Sequence, residues 1–391
     1  MISFDQAWAI IAGEARPLGS EAVALADAHG RILAEAVVAQ VDWPPADVSA
    51  MDGYAVRDGD GSPLLLVGES FPGTAFGGVI GPGECARVFT GAPVPPGADR
   101  VVMQENATRD GDAVRLTVAD SAARHIRQRG SDFCAGDTLL DAGRRLDARA
   151  MVAAAGADLA DVCVWRRPRV AILGTGDELV EPGSARTHPG TIPESVSFGV
   201  AGLVADWGGR VMGRERVRDQ PDLIRHAAAT ALDRSDLLVV TGGASVGDRD
   251  YSKAVLADLG LELLFAKVAM KPGKPAWFGR VGDTLVLGLP GNPTSALVTA
   301  RLFLAPLLAG LGGDDCARTV RWRSATLLAA LGPCGERETF TRARCVGAMV
   351  EPLASQDSGA QKGLADGNVL IRQRAGTGAL SAGDPVDVID F

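Results

Sequence analysis

Lysine is rare in this sequence. Of its 39 lysine and arginine residues only five are lysine, and arginine supplies nearly all the other positive charge. Four of the five lie in one short segment, as Lys253, Lys267, Lys271 and Lys274, and the fifth is Lys362. An ammonium group is a compact point charge, unlike the flat guanidinium fork. The clustering indicates a segment that binds an anion, with chance clustering in an arginine-rich chain as the alternative.

Cysteine and histidine are also scarce. The chain has six cysteines and four histidines, with no CxxC pair and no spacing typical of a zinc site. This excludes the usual Cys/His metal centres and predicts free thiols in a reducing compartment. No nucleophile–histidine pair is recognisable either, so water is the expected attacking group in any hydrolytic step.

Excess positive charge and uninterrupted apolar runs are absent too. The net charge of -9 argues against nonspecific nucleic-acid binding. Asp5 and Glu14 make the first residues an amphipathic helix rather than a signal peptide. The most apolar stretch, residues 295–311, contains Arg301 and Pro306 and is predicted to be a core helix, not a membrane span. We expect a cytoplasmic protein with no nucleic-acid or membrane partner.

The residue pattern predicts several domains, because 391 residues exceed one ordinary core. Residues 1–40 are alanine-rich and are predicted to be helical. Residues 42–130 consist of short apolar runs between glycines and prolines, which predicts strands. From 168 to about 311 apolar strands alternate with helical stretches, which predicts a parallel sheet covered on both faces. Residues 318–391 return to short strands, so the predicted fold class is α/β plus β, ending in a small β-barrel.

Three predicted strand ends carry polar residues, and ligands bind beyond the carboxyl ends of parallel strands. The first is LGTGDELV, where Gly174 and Gly176 precede Asp177 and Glu178. Free backbone N–H groups would suit a phosphate and the carboxylates would suit Mg²⁺. A glycine turn before an acidic helix start is the structural alternative.

The second strand end is TGGASVGDRDYSK. Gly242, Gly243 and Ser245 form a small-residue loop, and Asp250 and Lys253 follow with both signs of charge. The segment is neither a Walker loop nor GxGxxG, so it indicates a phosphate or pterin site only in outline.

The third strand end combines KPGKP with LPGNPTSAL. The short turn between Lys271 and Lys274 would let both ammonium groups converge on one oxyanion. A capped turn would explain Asn292 and Ser295 but not the paired lysines.

The N-terminal half contains a separate dense segment, PPADVSAMDGYAVR, with Asp47 and Asp52. Thr90 and Asp132 lie in two further segments rich in glycine and aspartate. Turn formation explains much of this composition, but it does not explain the run Ser-Ala-Met-Asp-Gly-Tyr.

Seven segments in order resemble the molybdopterin molybdenumtransferase family, which includes bacterial enzymes and the C-terminal domain of gephyrin. They are SAMDGYAVR, FTGAPVPPGAD, RQRGSDFCAGD, GTGDELV, TGGASVGDRDYSK, KPGKP and LPGNPTSA. The resemblance implies a homodimer of four-domain subunits. The predicted domains are a mixed domain at 1–50 and 131–166, a β-rich insertion at 51–130, an α/β molybdopterin-binding domain at 167–312 and a β-barrel at 313–391.

The resemblance also implies an activity. Family members insert molybdenum from molybdate into adenylylated molybdopterin and release AMP with Mg²⁺. The enzyme that adenylylates molybdopterin and the recipient molybdoenzymes are candidate partners.

Residue roles follow from the motif matches. The acidic residues implied around the pyrophosphate are Asp47, Asp132, Glu178, Asp219 and Asp250, of which Asp132, Glu178 and Asp250 are the implied Mg²⁺ ligands. Lys267, Lys271 and Lys274 match the pterin and molybdate region, and Ser295 with Arg342 matches residues that contact molybdate. The other implied substrate-binding residues are Asp52, Thr90, Gly174, Thr175, Gly176, Asp177, Gly242, Gly243, Ser245, Lys253, Pro290 and Asn292.

The sequence departs from the family pattern at several positions. Val48 and Val196 replace asparagines, Glu194 replaces an aspartate, and SGAQKG at 358–363 replaces a serine-rich stretch. These departures keep two alternatives open: a molybdopterin carrier or scaffold without turnover, and an insertase with altered metal preference such as tungstate. We hypothesise that Lys362 replaces a lost hydroxyl contact with molybdate, a surface-loop lysine being the alternative.

Overall fold

The computed structural model describes residues 1–117, 123–242 and 251–391. Its α-helices are α1 (Phe4–Glu14), α2 (Ala148–Gly156), α3 (Val196–Asp206), α4 (Pro221–Arg234), α5 (Tyr251–Asp258), α6 (Pro293–Thr299), α7 (Ala305–Leu311) and α8 (Lys362–Asp366).

Its strands are β1 (Ser20–Ala24), β2 (Val37–Val38), β3 (Val48–Ser49), β4 (Gly53–Val56), β5 (Leu64–Ser70), β6 (Glu84–Val88), β7 (Arg100–Met103), β8 (Ala107–Asp110), β9 (Ala113–Leu116), β10 (Ile126–Arg127), β11 (Thr138–Leu140), β12 (Asp161–Trp165), β13 (Arg169–Thr175), β14 (Leu179–Val180), β15 (Ile192–Pro193), β16 (Arg210–Val217), β17 (Leu237–Thr241), β18 (Glu262–Phe265), β19 (Met270–Lys271), β20 (Trp277–Val281), β21 (Thr284–Leu289), β22 (Arg323–Leu327), β23 (Glu338–Val346), β24 (Met349–Pro352), β25 (Val369–Gln373) and β26 (Pro385–Asp390).

The chain forms two compact units. The larger unit contains residues 1–21, 30–34 and 164–391, and the smaller unit contains residues 22–29 and 35–163. The four-domain boundaries predicted above remain a prediction.

The larger unit is built on a six-stranded sheet in the order β16-β13-β17-β21-β20-β18. The first four strands are parallel, whereas β20 and β18 run antiparallel to their neighbours. Val281 pairs with Thr284 across a two-residue connection, which is too short for the crossover that a parallel pair needs. The predicted α/β fold is confirmed, and its sheet is mixed rather than wholly parallel.

Both faces of this sheet are covered. Val170 and Ile172 of β13 share one core with Val200 of α3, while Ala171 and Leu173 share another core with α4. Successive residues of a strand point to opposite faces, so an apolar strand such as RVAILGT supplies both cores.

A β-barrel closes the larger unit. Strands β23, β24, β22, β26 and β25 are joined in that order, and β23 also pairs with β25. This confirms the predicted C-terminal barrel. The short strand β19, from the α/β part of the chain, adds to β23 in parallel. That pairing brings the lysine-containing turn against the barrel.

The smaller unit is mainly β-structure. Its principal sheet has the order β7-β4-β6-β5-β9-β8, and the pairs β10–β3 and β11–β2 form two-stranded sheets. Helix α2 is alanine-rich, and its Asp147 N-cap accepts a hydrogen bond from the Ala150 N–H.

The prediction of helix over residues 1–40 is wrong beyond Glu14. The segment after α1 contains β1, a 3-10 turn at Leu25–Asp27 and β2. Pro17 and Gly19 stop the helix, and the alanines that follow contribute no helical period of apolar residues.

The predicted core helix is confirmed. Helices α6 and α7 are joined by a π-helical turn at Ala300–Leu304. The continuous helix Pro293–Leu311 is long and apolar enough to cross a membrane, but 94% of its most apolar window is buried inside the fold. Its hydrophobicity therefore serves the core.

Candidate active site

The KPGKP turn, residues 271–275, packs against helix α6. Lys271 pairs with Thr339 through the β19–β23 ladder, and the Val268 N–H donates to the Lys274 carbonyl over 3.1 Å. Gly273 has a φ of +107°, and a Cβ there would lie 2.6 Å from Thr299 Oγ1. Only glycine fits this close approach, so the turn holds the two lysines in place.

Both lysines line one cavity of about 710 Å³ between the α/β sheet and the barrel. Ser295 of α6 lines the same cavity, and so do Arg337 and Arg342 from the barrel side. The structure therefore brings together the lysine pair, the helix serine and the arginine that the sequence placed far apart. Their grouping makes this cavity strongly cationic.

Arg342 has an unused hydrogen-bond donor. Arg342 is only 2% exposed. Its Nη2 donates to the carbonyls of Ser355 (3.2 Å) and Asp357 (3.0 Å). Its Nη1 is buried and has no partner among the described residues. Burial lowers the pKa of this guanidinium, and the Asp357 carboxylate opposes the shift. A buried donor without an acceptor is costly, so an anion in the cavity would stabilise it.

Three cavity residues were missed by the sequence reasoning. A second cavity of about 510 Å³ shares the lysine pair and is lined by Arg337, Thr339 and Gln373. Thr339 lies on β23, Arg337 directly precedes that strand and Gln373 ends β25, so no single sequence segment would have indicated all three.

The carboxyl ends of the central strands meet at glycines. Gly242 has a φ of +87°, and a Cβ there would lie 2.2 Å from the Thr175 carbonyl oxygen. A Cβ on Gly291 would approach the Gly242 Cα to 3.3 Å. The Thr175 hydroxyl is buried at this place and has no partner among the described residues. Gly174 lies beside Thr241, because a Cβ on Gly174 would be 3.5 Å from the Thr241 hydroxyl.

Predicted acidic residues lie beside these strand ends. Asp177 Oδ1 accepts a hydrogen bond from the Asp219 N–H over 3.3 Å and lies 3.9 Å from Arg218 Nε. Glu178 Oε2 would be 2.9 Å from a Cβ on Gly176, so its carboxylate folds back over that glycine. Asp177, Glu178 and Asp219 thus occupy neighbouring turns.

Three family models cover the chain. The MoeA N-terminal region (domains I and II) matches residues 2–157, a probable molybdopterin binding domain matches residues 171–310, and the MoeA C-terminal region (domain IV) matches residues 324–391. A molybdopterin molybdenumtransferase from Synechococcus elongatus is 33% identical, with 95% of this chain and 94% of the relative covered.

The chain belongs to the molybdopterin molybdenumtransferase (MoeA) family. The predicted family membership is confirmed. A second relative, molybdopterin molybdenumtransferase 2 of Mycobacterium tuberculosis, is 39% identical over 82% of each chain. The crystal structure of the molybdopterin biosynthesis MoeA protein from Pyrococcus horikosii has a TM-score of 0.86 at 27% identity and is 99% covered. The MoeA family is a family of transferases.

Other family-matched residues lie apart from the cavity. Lys267 is exposed, and its carbonyl accepts from the Ile2 N–H. Lys253 lies in the first turn of α5 and Pro290 directly follows β21. Asn292 Nδ2 donates to Ser358 Oγ over 3.1 Å, so this side chain connects α6 to the barrel loop. Gly243, Ser245 and Asp250 lie outside the described residues.

The smaller unit contains the remaining matched acids. Asp52 Oδ1 accepts from both the backbone N–H and the hydroxyl of Thr90, each at 2.7 Å, and these bonds lower the pKa of Asp52. Asp47 Oδ1 accepts from the Arg129 N–H over 2.9 Å. The Asp132 N–H donates to the Trp43 carbonyl. Asp52 is thus engaged with Thr90, its partner in the predicted site.

A complete metal-ligand set is not assembled among residues 1–117, 123–242 and 251–391, which contain no group of three His, Cys, Asp or Glu able to hold a metal ion. Asp132 belongs to the smaller unit, Glu178 to the larger unit, and Asp250 is not described. The Mg²⁺ site stays a prediction.

The family departures have structural explanations. Glu194 is 5% exposed and accepts hydrogen bonds from the N–H and the hydroxyl of Ser197, at 2.8 and 2.5 Å. Its carboxylate therefore caps the start of α3. Val196 and Val48 are 6% and 8% exposed and fill cores. Lys362 is exposed and is not among the residues lining the lysine cavity, so its hypothesised contact is not observed.

Proposed function

We propose that this protein inserts molybdenum from molybdate into adenylylated molybdopterin, releasing AMP with Mg²⁺. The observation that carries the proposal is the cavity that Lys271, Lys274, Ser295 and Arg342 line together, the buried Nη1 of Arg342 having no partner among the described residues. Membership of the MoeA family supports the same reaction class.

Molybdate suits the donors of this cavity. It is a tetrahedral dianion whose oxygens only accept hydrogen bonds at neutral pH, whereas ammonium and guanidinium groups only donate. Charge-assisted hydrogen bonds are stronger than neutral ones, and burial reduces the screening of Arg342 by water. Ser295 adds a short hydroxyl that can rotate toward an oxyanion oxygen. The cavity would hold the oxyanion while its organic acceptor binds nearby.

The adenylylated part of the substrate is proposed to bind at the carboxyl ends of the strands. Support for this comes from the buried Thr175 hydroxyl, which has no partner among the described residues, and from the glycines at these strand ends, whose backbone N–H groups carry no side chain that would keep a phosphate away. A water molecule would attack the phosphoanhydride, and AMP would leave. Mg²⁺ would neutralise phosphate charge when bound, but the described residues do not assemble its ligands and no step is assigned to it.

The decisive assay gives purified protein adenylylated molybdopterin, molybdate and Mg²⁺. AMP should appear only when all three are present, and chelation of the divalent cation should stop its release. Substrate binding without AMP release would contradict the proposal.

A carrier or scaffold is the second candidate. The observation that favours it is the loss of ligand-facing amides, since Val48 and Val196 are buried apolar residues and Glu194 is used as a helix cap. Binding of molybdopterin with no AMP release in the same assay would support it. Competition between molybdate and tungstate would identify an insertase with altered metal preference.

Partners and location are part of the proposal. We infer a cytoplasmic homodimer that receives its substrate from a molybdopterin adenylyltransferase and delivers its product to molybdoenzymes. Analytical ultracentrifugation tests the homodimer, and a monomer at micromolar concentration would contradict it.

A further inference from the structure

Arg342 is held by a barrel loop, residues 353–358, which we call the Gln356 loop. Its Ser355 and Asp357 carbonyls accept both hydrogen bonds of Arg342 Nη2. That leaves Nη1 as the buried nitrogen without a partner among the described residues. The orientation of the guanidinium therefore depends on this loop.

Gln356 fastens the loop to the main chain of Arg342. Its Oε1 accepts from the Arg342 N–H over 3.0 Å, and its Nε2 donates to the carbonyls of Arg342 and Leu353, each at 2.9 Å. Strand β24 ends at Pro352, opposite Ala343, and the next residue, Leu353, still donates its N–H to the Arg342 carbonyl over 3.0 Å. The Gln356 amide supplies the acceptor for the Arg342 N–H and so completes the pairing on that side.

The same loop is bound to the α/β part of the larger unit. The Ser358 carbonyl accepts from the Thr294 N–H over 3.3 Å and from its hydroxyl over 2.5 Å. Asn292 donates to the Ser358 hydroxyl. Thr294 directly precedes Ser295, which lines the cavity. The loop thus links the two walls that supply the cavity's donors.

We propose that Gln356 is a positioning residue for the oxyanion, acting through Arg342. It fixes the main chain of Arg342 and the loop whose carbonyls hold the guanidinium, so that this side chain keeps its place in the wall of the cavity that the lysine pair and Ser295 also line. This rests on the proposed function, because the oxyanion is the acceptor that Nη1 lacks. A charge-assisted hydrogen bond is sensitive to angle, so a loosened arginine loses affinity even though its charge remains.

The test is a double-mutant cycle on the full chain, measured as molybdate affinity by titration calorimetry. Gln356→Met keeps the length of the side chain and removes its three hydrogen bonds. It should weaken molybdate binding about tenfold in the natural background and have no effect when combined with Arg342→Met, because two residues that act through one contact are not additive. Gln361→Met, the same change at an exposed position outside the cavity lining, should leave affinity unchanged.

The outcomes separate this inference from the proposed function. Equal losses in both Arg342 backgrounds, or no loss from Gln356→Met, would overturn the positioning role. Protein that binds adenylylated molybdopterin but no molybdate would overturn the cavity assignment and the positioning role with it. If Arg342→Met fails to fold, Arg342→Lys provides the second background, since it keeps the charge without the guanidinium fork. The melting temperature of every variant should be measured without molybdate, so that a general loss of stability is recognised.

Discussion

The amino and carboxyl edges of the α/β sheet differ in how completely their buried polar groups are hydrogen-bonded. At the amino edge, Asp236 precedes β17 and its side chain is 8% exposed. Its carboxylate accepts from the N–H, Nε and Nη2 of Arg169 and from both terminal nitrogens of Arg166. This cluster ties the starts of β13 and β17 together.

At the carboxyl edge the corresponding groups are left open. The Thr175 hydroxyl is buried without a partner among the described residues, and Gly242 lets the end of β17 pack directly on the Thr175 carbonyl. Across the cavity, on barrel strand β23, Arg342 Nη1 is likewise buried without a partner among the described residues. Unsatisfied groups reduce stability, whereas a bound ligand can satisfy them. The amino edge thus stabilises the fold, whereas the carboxyl edge keeps a buried hydroxyl that no described residue satisfies.

The largest effect on the free energy of unfolding is expected from a substitution at the amino edge. Asp236→Asn should lower the free energy of unfolding by about 2–3 kcal/mol, because it leaves two arginines without their shared carboxylate. Molybdate affinity should stay within twofold of the unaltered protein. Denaturant unfolding measures the first quantity, and Asp233→Asn, at an exposed position of α4, is the control. A stable variant with weakened molybdate binding would reverse the comparison.

Gly242→Ala, at the carboxyl edge, should strain the backbone and also produce a steric clash. Gly242→Ala should cost about 2 kcal/mol of unfolding free energy, since its Cβ would lie 2.2 Å from a carbonyl oxygen. Gly260→Ala is the matched control, because Gly260 also has positive φ (+94°) but has nothing within 4 Å of its Cβ. Equal losses in the two variants would mean that backbone strain alone is responsible.

The lysine pair should affect binding rather than folding. Lys274→Ala should raise the molybdate concentration needed for half-maximal AMP release about tenfold to hundredfold, and it should change pterin binding much less. Initial rates against molybdate concentration test this. Equal losses for both substrates would contradict the assignment of Lys274 to the oxyanion.

The amino-edge cluster should also be detectable by pH. Burial raises the pKa of Asp236, but hydrogen bonds from Arg169 and Arg166 outweigh it and leave the pKa below the ordinary value. A lowered pKa stabilises the fold above the pKa of an unfolded aspartate, about 3.9, and that contribution is lost as pH falls through the folded value. The stability difference between the unaltered protein and Asp236→Asn should therefore shrink below about pH 4. A difference that stays constant would argue against an ionised Asp236.

The smallest effect on molybdate affinity is expected for Lys362, which belongs to neither edge of the sheet. Lys362→Ala should leave molybdate affinity unchanged, because Lys362 is exposed and does not line the cavity. A clear loss of affinity would restore the hypothesis that this lysine replaces a family hydroxyl. The variant also serves as a control for the loss of one positive charge at Lys274.

The predictions from sequence succeeded where a short segment carries its own signal. Apolar runs such as RVAILGT predict buried strands, and the structure confirms them. The ligand sites that KPGKP and GTGDELV indicate by composition stay predictions. The helix predicted over 1–40 failed because alanine content is a weak signal without apolar periodicity. Arg337, Thr339 and Gln356 were missed because nothing in their neighbourhood of the sequence marks them as partners of the lysines.

The sequence alone determined the family, through the resemblance of its motifs, and it determined the α/β and barrel domains and the lysine-bearing turn through local composition and periodicity. Only the tertiary structure decided that Lys271 pairs with Thr339 and that Arg342 lines the same cavity, with a buried nitrogen that has no partner among the described residues. It also decided that Asp236 and Thr175 lie at opposite edges of the sheet. The Asp236 carboxylate is fully hydrogen-bonded there, whereas the Thr175 hydroxyl has no partner among the described residues. Contacts between residues tens of positions apart arise from strand pairing and packing, which no local pattern specifies.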